Sequence, residues 1–240
     1  MYPLDSSRRS FFRLGYGALG LAASVGALSS HAAEGPKTTM TPAQALAKLK
    51  QGHEDFLNDK PLLKTARDSD RRLAIARAQV PFAVLVGCSD SRVPPELLFD
   101  TGLGELFIVR NAGNTIDTVA MGSIQYAVQV LNVPLVLVLG HERCGAVDAA
   151  VSVVEKNTVF PGSIGQMVEP IIPAVLKAKA MGAAGDELLD GAVRENVRRT
   201  VERLRTGEPT LADPIKAGKL MVVGARYDLD DGKVDFFLQS

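Results

Sequence analysis

The sequence predicts an α/β domain: a central, mainly parallel β-sheet flanked by helices, with an antiparallel hairpin at its C-terminal edge and a helical arm at its N-terminal end. Three observations predict it. Continuous apolar runs at 82–87 (FAVLVG) and 134–140 (PLVLVLG) have the length and unbroken hydrophobicity of buried strands, the first covered on both faces, and 105–110 (ELFIVR) reads as a further strand. Each run is followed by a loop and then by a segment of helical periodicity, the alternation that builds parallel sheets. Near the C-terminus, 219–227 and 233–238 flank Asp230-Asp231-Gly232, a tight-turn signal between two strands.

Taken in order, Thr41-Pro42 opens a helix, with Thr41 as N-cap, Pro42 in the first turn, and Ala45, Leu46 and Leu49 as the apolar face as far as about residue 57. A second helix starts at Asp68 or Ser69 and extends through 78. After the first strand, Pro94-Pro95-Glu96 begins a short helix that leads to the second strand. Asp117 caps a helix through 131 whose apolar face reads Val119, Ile124, Ala127, Val128 and Leu131. The third strand runs into a loop, and a helix over 145–156 begins there. Residues 163–181 form an amphipathic helix interrupted by Pro170 and Pro173, and 187–205 a long helix whose charges (RENVRRTVERLR) form a solvated face.

A chain of 240 residues that is 46% apolar can bury one ordinary core, so a single domain over 34–240 is expected. Basic and acidic residues balance at 27 each, and without residues 1–32 they stand at 24 against 26. Such a chain carries no electrostatic footprint for nucleic acid or an anionic membrane, which leaves small neutral or anionic metabolites as ligands. Residues 1–33 read as an export signal rather than as fold. A basic stretch with Arg8, Arg9 and Arg13 precedes a short, weakly apolar, Gly- and Ala-rich run, which ends in His31-Ala32-Ala33. The paired arginines resemble a twin-arginine signal, which implies an exported, periplasmic mature protein with no membrane anchor. The apolar run is too short for a membrane span, and an uncleaved anchoring N-terminus is the alternative.

The chemistry concentrates in two loops. Cys88-Ser89-Asp90-Ser91-Arg92 follows the first strand, and His141-Glu142-Arg143-Cys144-Gly145 follows the third; these hold both cysteines of the chain. Open α/β sheets place their sites at such strand ends. Two thiolates and an imidazole form a three-ligand zinc set with a fourth position open, the hallmark of a catalytic rather than a structural zinc. A water bound there has its pKa lowered toward roughly 7–8, which makes zinc hydroxide available as a nucleophile near neutral pH. A Cys88–Cys144 disulfide is the competing reading in an oxidising compartment. Export of an already folded, zinc-loaded chain removes that conflict. Asp90 and Arg92, two and four residues past Cys88, form a candidate switch. With Asp90 on the metal the site is closed; with Asp90 held by the Arg92 fork it is open.

The segments GCSDSRVPPELLFD, GELFIVRNAGN, SIQYAVQVL and GHERCGAV resemble the β-class carbonic anhydrases, and the resemblance extends over most of 41–238. It implies zinc on Cys88, His141 and Cys144, an Asp90–Arg92 catalytic dyad, and CO2 and bicarbonate as substrate and product. It also implies a substrate pocket matching Gln79, Phe107, Ala112, Tyr126 and Gly145. In the family several pocket residues cross a dimer interface, so a homodimer or dimer of dimers is expected. CS2 or COS hydrolysis on the same scaffold, and a non-catalytic zinc- or bicarbonate-binding protein, are the alternatives. One β-class subtype locks its aspartate onto zinc through a bicarbonate pocket. Arg110 and Tyr227 match two of that pocket's positions, but Leu85 stands where its tryptophan would be, so Asp90 is expected on Arg92. Of the histidines that survive cleavage, His141 is a ligand and His53 is expected to face solvent, a weak candidate for a proton shuttle.

Overall fold

The computed structural model describes residues 35–60 and 66–239. The export signal expected over 1–33 lies outside the described residues. Five strands form one sheet in the order β2-β1-β3-β4-β5. The strands are β1 (Ala83–Gly87), β2 (Leu106–Arg110), β3 (Leu135–His141), β4 (Met221–Tyr227) and β5 (Val234–Leu238). β1 pairs in parallel with β2 and β3, and β3 with β4; only β4 and β5 run antiparallel, joined by the hairpin.

All five residues of β1 and all seven of β3 are buried, because both faces of the sheet are covered. Successive side chains point to opposite faces, so the runs divide between two cores. Val84, Val86, Val136, Val138 and Val222 face one side, where they meet α4 (Thr118–Gln129), α8 (Gly185–Thr206) and α9 (Pro209–Lys216). Leu85, Leu135, Leu137, Leu139 and Val223 face the other, against α1 (Pro42–Leu57) and α3 (Pro95–Leu98). α1 starts with a capping box in which Thr41 and Gln44 satisfy each other's backbone amides. A third cluster lies beyond the strand ends. It joins Cys88 and Cys144 to α5 (Gly145–Lys156), α7 (Ile172–Ala180) and α8.

Several expectations are corrected. Helix α2 (Ser69–Ile75) ends three residues earlier than its periodicity suggested, and α9 was not anticipated at all. The amphipathic segment before α8 is divided where its prolines stand. α6 (Gly162–Val168) is separated from α7 by a 3-10 turn at Glu169–Ile171. Val119 is 77% exposed and does not belong to the buried face of α4, which Ala120, Met121, Ile124, Ala127 and Val128 supply. His53 does not face solvent: it is 4% exposed. Its Nδ1 donates to Leu98 O at 3.0 Å and its Nε2 accepts from Val234 N–H at 2.9 Å, which ties α1 to α3 and β5. Among the described residues no helix is long and apolar enough to cross a membrane.

Candidate metal centre

Cys88 is the first residue after β1 and His141 the last of β3, so the parallel register of these neighbouring strands delivers both side chains to one end of the sheet. Cys144 follows as N-cap of the twelve-residue α5, where the positive end of the helix dipole favours a thiolate. Arg143 takes a left-handed conformation (φ 50°), which turns the chain back from strand to helix. The two sulfurs and an imidazole nitrogen lie within 4.8 Å of one another, and all three residues are buried. The sulfurs are 3.9 Å apart, far beyond the roughly 2.05 Å of a disulfide, and both cysteines are free.

The neighbouring backbone holds this arrangement. Gly113 donates its N–H to Cys88 Sγ at 3.2 Å from the 3-10 turn Ala112–Asn114, a turn that needs the glycine's φ of 66°. Arg110, at the end of β2, grips the Cys88 loop through Cys88 O (2.6 Å) and Asp90 O (2.5 Å). His141 Nδ1 donates to Glu142 O at 2.9 Å, so the Nε2 lone pair is free, and that buried atom has no partner among the described residues. Around the second loop, Arg143 binds Asp230 at 2.7 and 2.9 Å, and Glu142 accepts from Leu229 N–H at 3.1 Å.

Asp90 lies beside this cluster. Its Oδ1 accepts from Arg92 N–H (2.9 Å) and Nε (3.0 Å), and its Oδ2 from Arg92 Nη2 (2.8 Å). The same Oδ2 is 3.8 Å from His141 Nε2. The guanidinium holds the Asp90 carboxyl well below the usual carboxylate range, so it is ionised at any physiological pH. The thiols behave as one pair: hydrogen bonding with Cys144, and then from the Gly113 amide, pushes Cys88 down against the opposing effect of burial. The resulting negative charge, together with burial, pushes Cys144 up. A cation among the three donors would remove that conflict. Tetrahedral zinc with bonds of about 2.3 Å sets two thiolates about 3.8 Å apart, which the observed spacing matches. With an orphaned imidazole nitrogen alongside, the donor set fits zinc.

Of the remaining candidate residues, Ala112 stands in the 3-10 turn beside Cys88. Gly145 opens α5, with no atom within 4 Å of where a Cβ would be. Gln79, Phe107 and Tyr126 are not brought to the metal loops of their own chain. Gln79 is exposed and precedes β1, at the opposite end of that strand from Cys88. Phe107 pairs in register with Val84 near the strand starts, and its ring meets that of Tyr126 at a tilt of 37° with centroids 6.4 Å apart. Arg110 and Tyr227 end β2 and β4, with β1 and β3 between them, and Tyr227 is buried opposite His141. Sequence reasoning passed over the Gly113 and Arg110 anchors and the Glu142–Asp230 side of the loop. Only the glycine following Arg110-Asn111-Ala112 was a visible signal.

Residues 83–234 match the family model described as carbonic anhydrase. "Carbonic anhydrase 2" of Mycobacterium tuberculosis is 41% identical over 192 residues, covering 80% of this chain and 91% of its own length. A carbonic anhydrase of Mycolicibacterium smegmatis is 41% identical over 194 residues, covering 81% and 92%. Among solved structures, the Coccomyxa β-carbonic anhydrase in complex with acetazolamide superposes with a TM-score of 0.63 at 28% identity, over 83% of this chain and 87% of that one. A tetrameric β-carbonic anhydrase of Sordaria macrospora shares the fold with a TM-score of 0.64 at 22% identity, over 81% and 94%.

Proposed function

This chain belongs to the β-carbonic anhydrase family of enzymes, and from that premise we propose that it hydrates CO2 reversibly to bicarbonate and a proton, using zinc held by Cys88, His141 and Cys144. The observation that carries this reading is the meeting of two buried sulfurs and an unpartnered imidazole nitrogen beside an ionised, clamped carboxylate. Zinc supplies a Lewis acid that makes water nucleophilic near neutral pH.

The chain's own residues do the rest. Arg92 holds Asp90 by both carboxylate oxygens, which keeps the carboxylate off the metal position and leaves Oδ2 as a proton acceptor on the water side. His141 is fixed in one tautomer by Glu142 O and presents Nε2 to the cation. The Gly113 amide donates to Cys88 Sγ and so favours its thiolate, and the bare Cα of Gly145 leaves room for a small linear substrate.

The reading includes a homodimer. Gln79, Phe107 and Tyr126 are remote from their own metal loops but accessible on the β2 side of the sheet, where they can complete the partner's pocket. Exposed Val119 and Tyr126, and the free edge of β2, support an interface there. It also includes export through the twin-arginine signal over 1–33, supported by Arg8 and Arg9 and by a zinc site best loaded before the chain meets an oxidising compartment.

The deciding experiment is stopped-flow CO2 hydration by the zinc-loaded protein, with metal content measured on the same sample. Stoichiometric zinc with CO2 turnover is expected. Zinc without CO2 turnover, or turnover of COS or CS2 instead, overturns the reading.

A further inference from the structure

A cleft of about 330 Å³ opens between the segment that follows the Gly113 turn, the Pro170–Pro173 stretch and α8, and none of the metal-loop residues lines it. Ile116, Pro170 and Pro173 give it apolar walls, and α8 gives it a polar face. Along that helix Asn196, Arg199, Thr200 and Arg203 follow at intervals of three and four residues, so they share one side. Asn196 and Thr200 are buried, while Arg199 and Arg203 are exposed.

On the adjoining surface of α8 Glu195 and Glu202 lie beside Arg199 and Arg203, but the cleft side of the helix differs. No carboxylate lines the cleft. Among the described residues neither Arg199 nor Arg203 makes an ion pair; the nearby Glu195 is engaged by Arg198 at 2.7 Å. Two like charges four residues apart repel, a cost that an anion between them would remove. Arg203 is oriented by donating to Ile116 O at 2.5 Å, while Arg199 makes no hydrogen bond among the described residues. Thr200 Oγ1 likewise donates to nothing among them, although a helical threonine ordinarily bonds back to its own helix, as Thr206 does to Glu202 O. Asn196 Nδ2 spends one hydrogen on Gly113 O at 2.8 Å and keeps the other.

We infer that this cleft binds a small oxyanion, of the bicarbonate or phosphate class, between the Arg199 and Arg203 guanidiniums and the Thr200 hydroxyl. Guanidinium forks match oxyanion geometry, and the buried Thr200 offers a hydroxyl at the base of the cleft. The site is separate from the metal centre yet adjoins it: Asn196 holds the carbonyl of Gly113, and the amide of the same residue holds Cys88 Sγ.

The test is a thermal-melting titration of the zinc-loaded full chain with inorganic phosphate and, separately, with bicarbonate, at constant ionic strength. Wild type and two variants, Arg199→Gln and Thr200→Val, are compared. A saturable rise in melting temperature is expected in wild type, with the half-saturating concentration raised about tenfold or more in Arg199→Gln. The anion that saturates at the lower concentration identifies the source: bicarbonate points to feedback by the enzyme's product, phosphate to a phosphate-bearing ligand. No saturable rise with either anion, or the same concentration dependence in wild type and both variants, overturns the proposal. In the latter case the anion acts at the metal or on the general surface.

Discussion

At the scale of single residues, the site depends on how much each donor's chemistry can be replaced. Cys144→Ser substitutes a neutral hydroxyl for a thiolate at the start of α5, so tight zinc binding should be lost. Metal analysis after dialysis checks this; near-stoichiometric zinc with full activity would remove Cys144 from the ligand set. Asp90→Asn keeps the shape of the side chain but removes the charge that Arg92 clamps and the proton-accepting oxygen 3.8 Å from His141 Nε2. Zinc should stay, and CO2 hydration should fall by about 10²-fold or more, the usual effect of losing a positioned acid–base group. Wild-type rates in this variant across pH 6–9 would make the Asp90–Arg92 pair merely structural. The structure brings together Cys88, Asp90, Arg92, His141 and Cys144, and their proximity was legible in the sequence because they sit in two short motifs, each directly after an apolar run. His53 was misread for the opposite reason. Its partners, Leu98 O and Val234 N–H, are backbone groups 45 and 181 residues away, and no local pattern announces them.

At the scale of elements, the docking of α1 turns on Gly52. A Cβ there would lie 1.9 Å from Phe99 O, so the helix axis can approach the end of α3 only at a residue without a side chain. Gly52→Ala gains about 0.5–1 kcal/mol of helix propensity but must push α1 off its seat, at a cost of about 1–3 kcal/mol or more. Net destabilisation is therefore expected in urea unfolding at fixed protein concentration; a more stable variant would show that α1 can shift freely. The hairpin between β4 and β5 makes a second case. Arg226 bonds Asp228 at 2.9 Å and holds its carboxyl at about 2, below the ordinary value of about 3.9. The folded state thus binds this proton less tightly than the unfolded state. The pair's stabilising contribution is present above about pH 4 and is lost as pH falls through about 2. The stability gap between wild type and Asp228→Asn should accordingly be open at pH 6–7 and close in acid; a gap that does not change with pH would assign it to packing instead. Elements with strong local signals, the buried strands β1 and β3, the edge strand β2, and helices α1, α4 and α5, match their sequence readings to within a few residues, although only Val109 of β2 is buried. α9 escaped because it is only eight residues long, with Pro209 at its start and Pro214 inside it, so its sequence reads as a loop.

At the scale of the whole molecule, one chain presents a complete donor set for zinc but not the complete pocket its family resemblance implies. Strand order leaves β2 at an edge with unpaired backbone groups, the usual template for association. Beside it, α4 turns Val119, Gly122 and Tyr126 outward at helical spacing, an apolar stripe with a glycine that permits close approach. Val119 defeated the periodicity argument because an exposed apolar residue looks, in sequence, the same as one that faces the core. Val119→Glu places a charge at the proposed interface without touching the metal loops, because the residue is 77% exposed in the single chain. Sedimentation velocity should show monomers. Zinc content should be unchanged, since Cys88, His141 and Cys144 come from one chain. CO2 hydration should nevertheless fall by about tenfold or more as Gln79, Phe107 and Tyr126 are withdrawn from the partner's pocket. A fully active monomer would show that the pocket is built within one chain, and an intact dimer would show that α4 is not its interface.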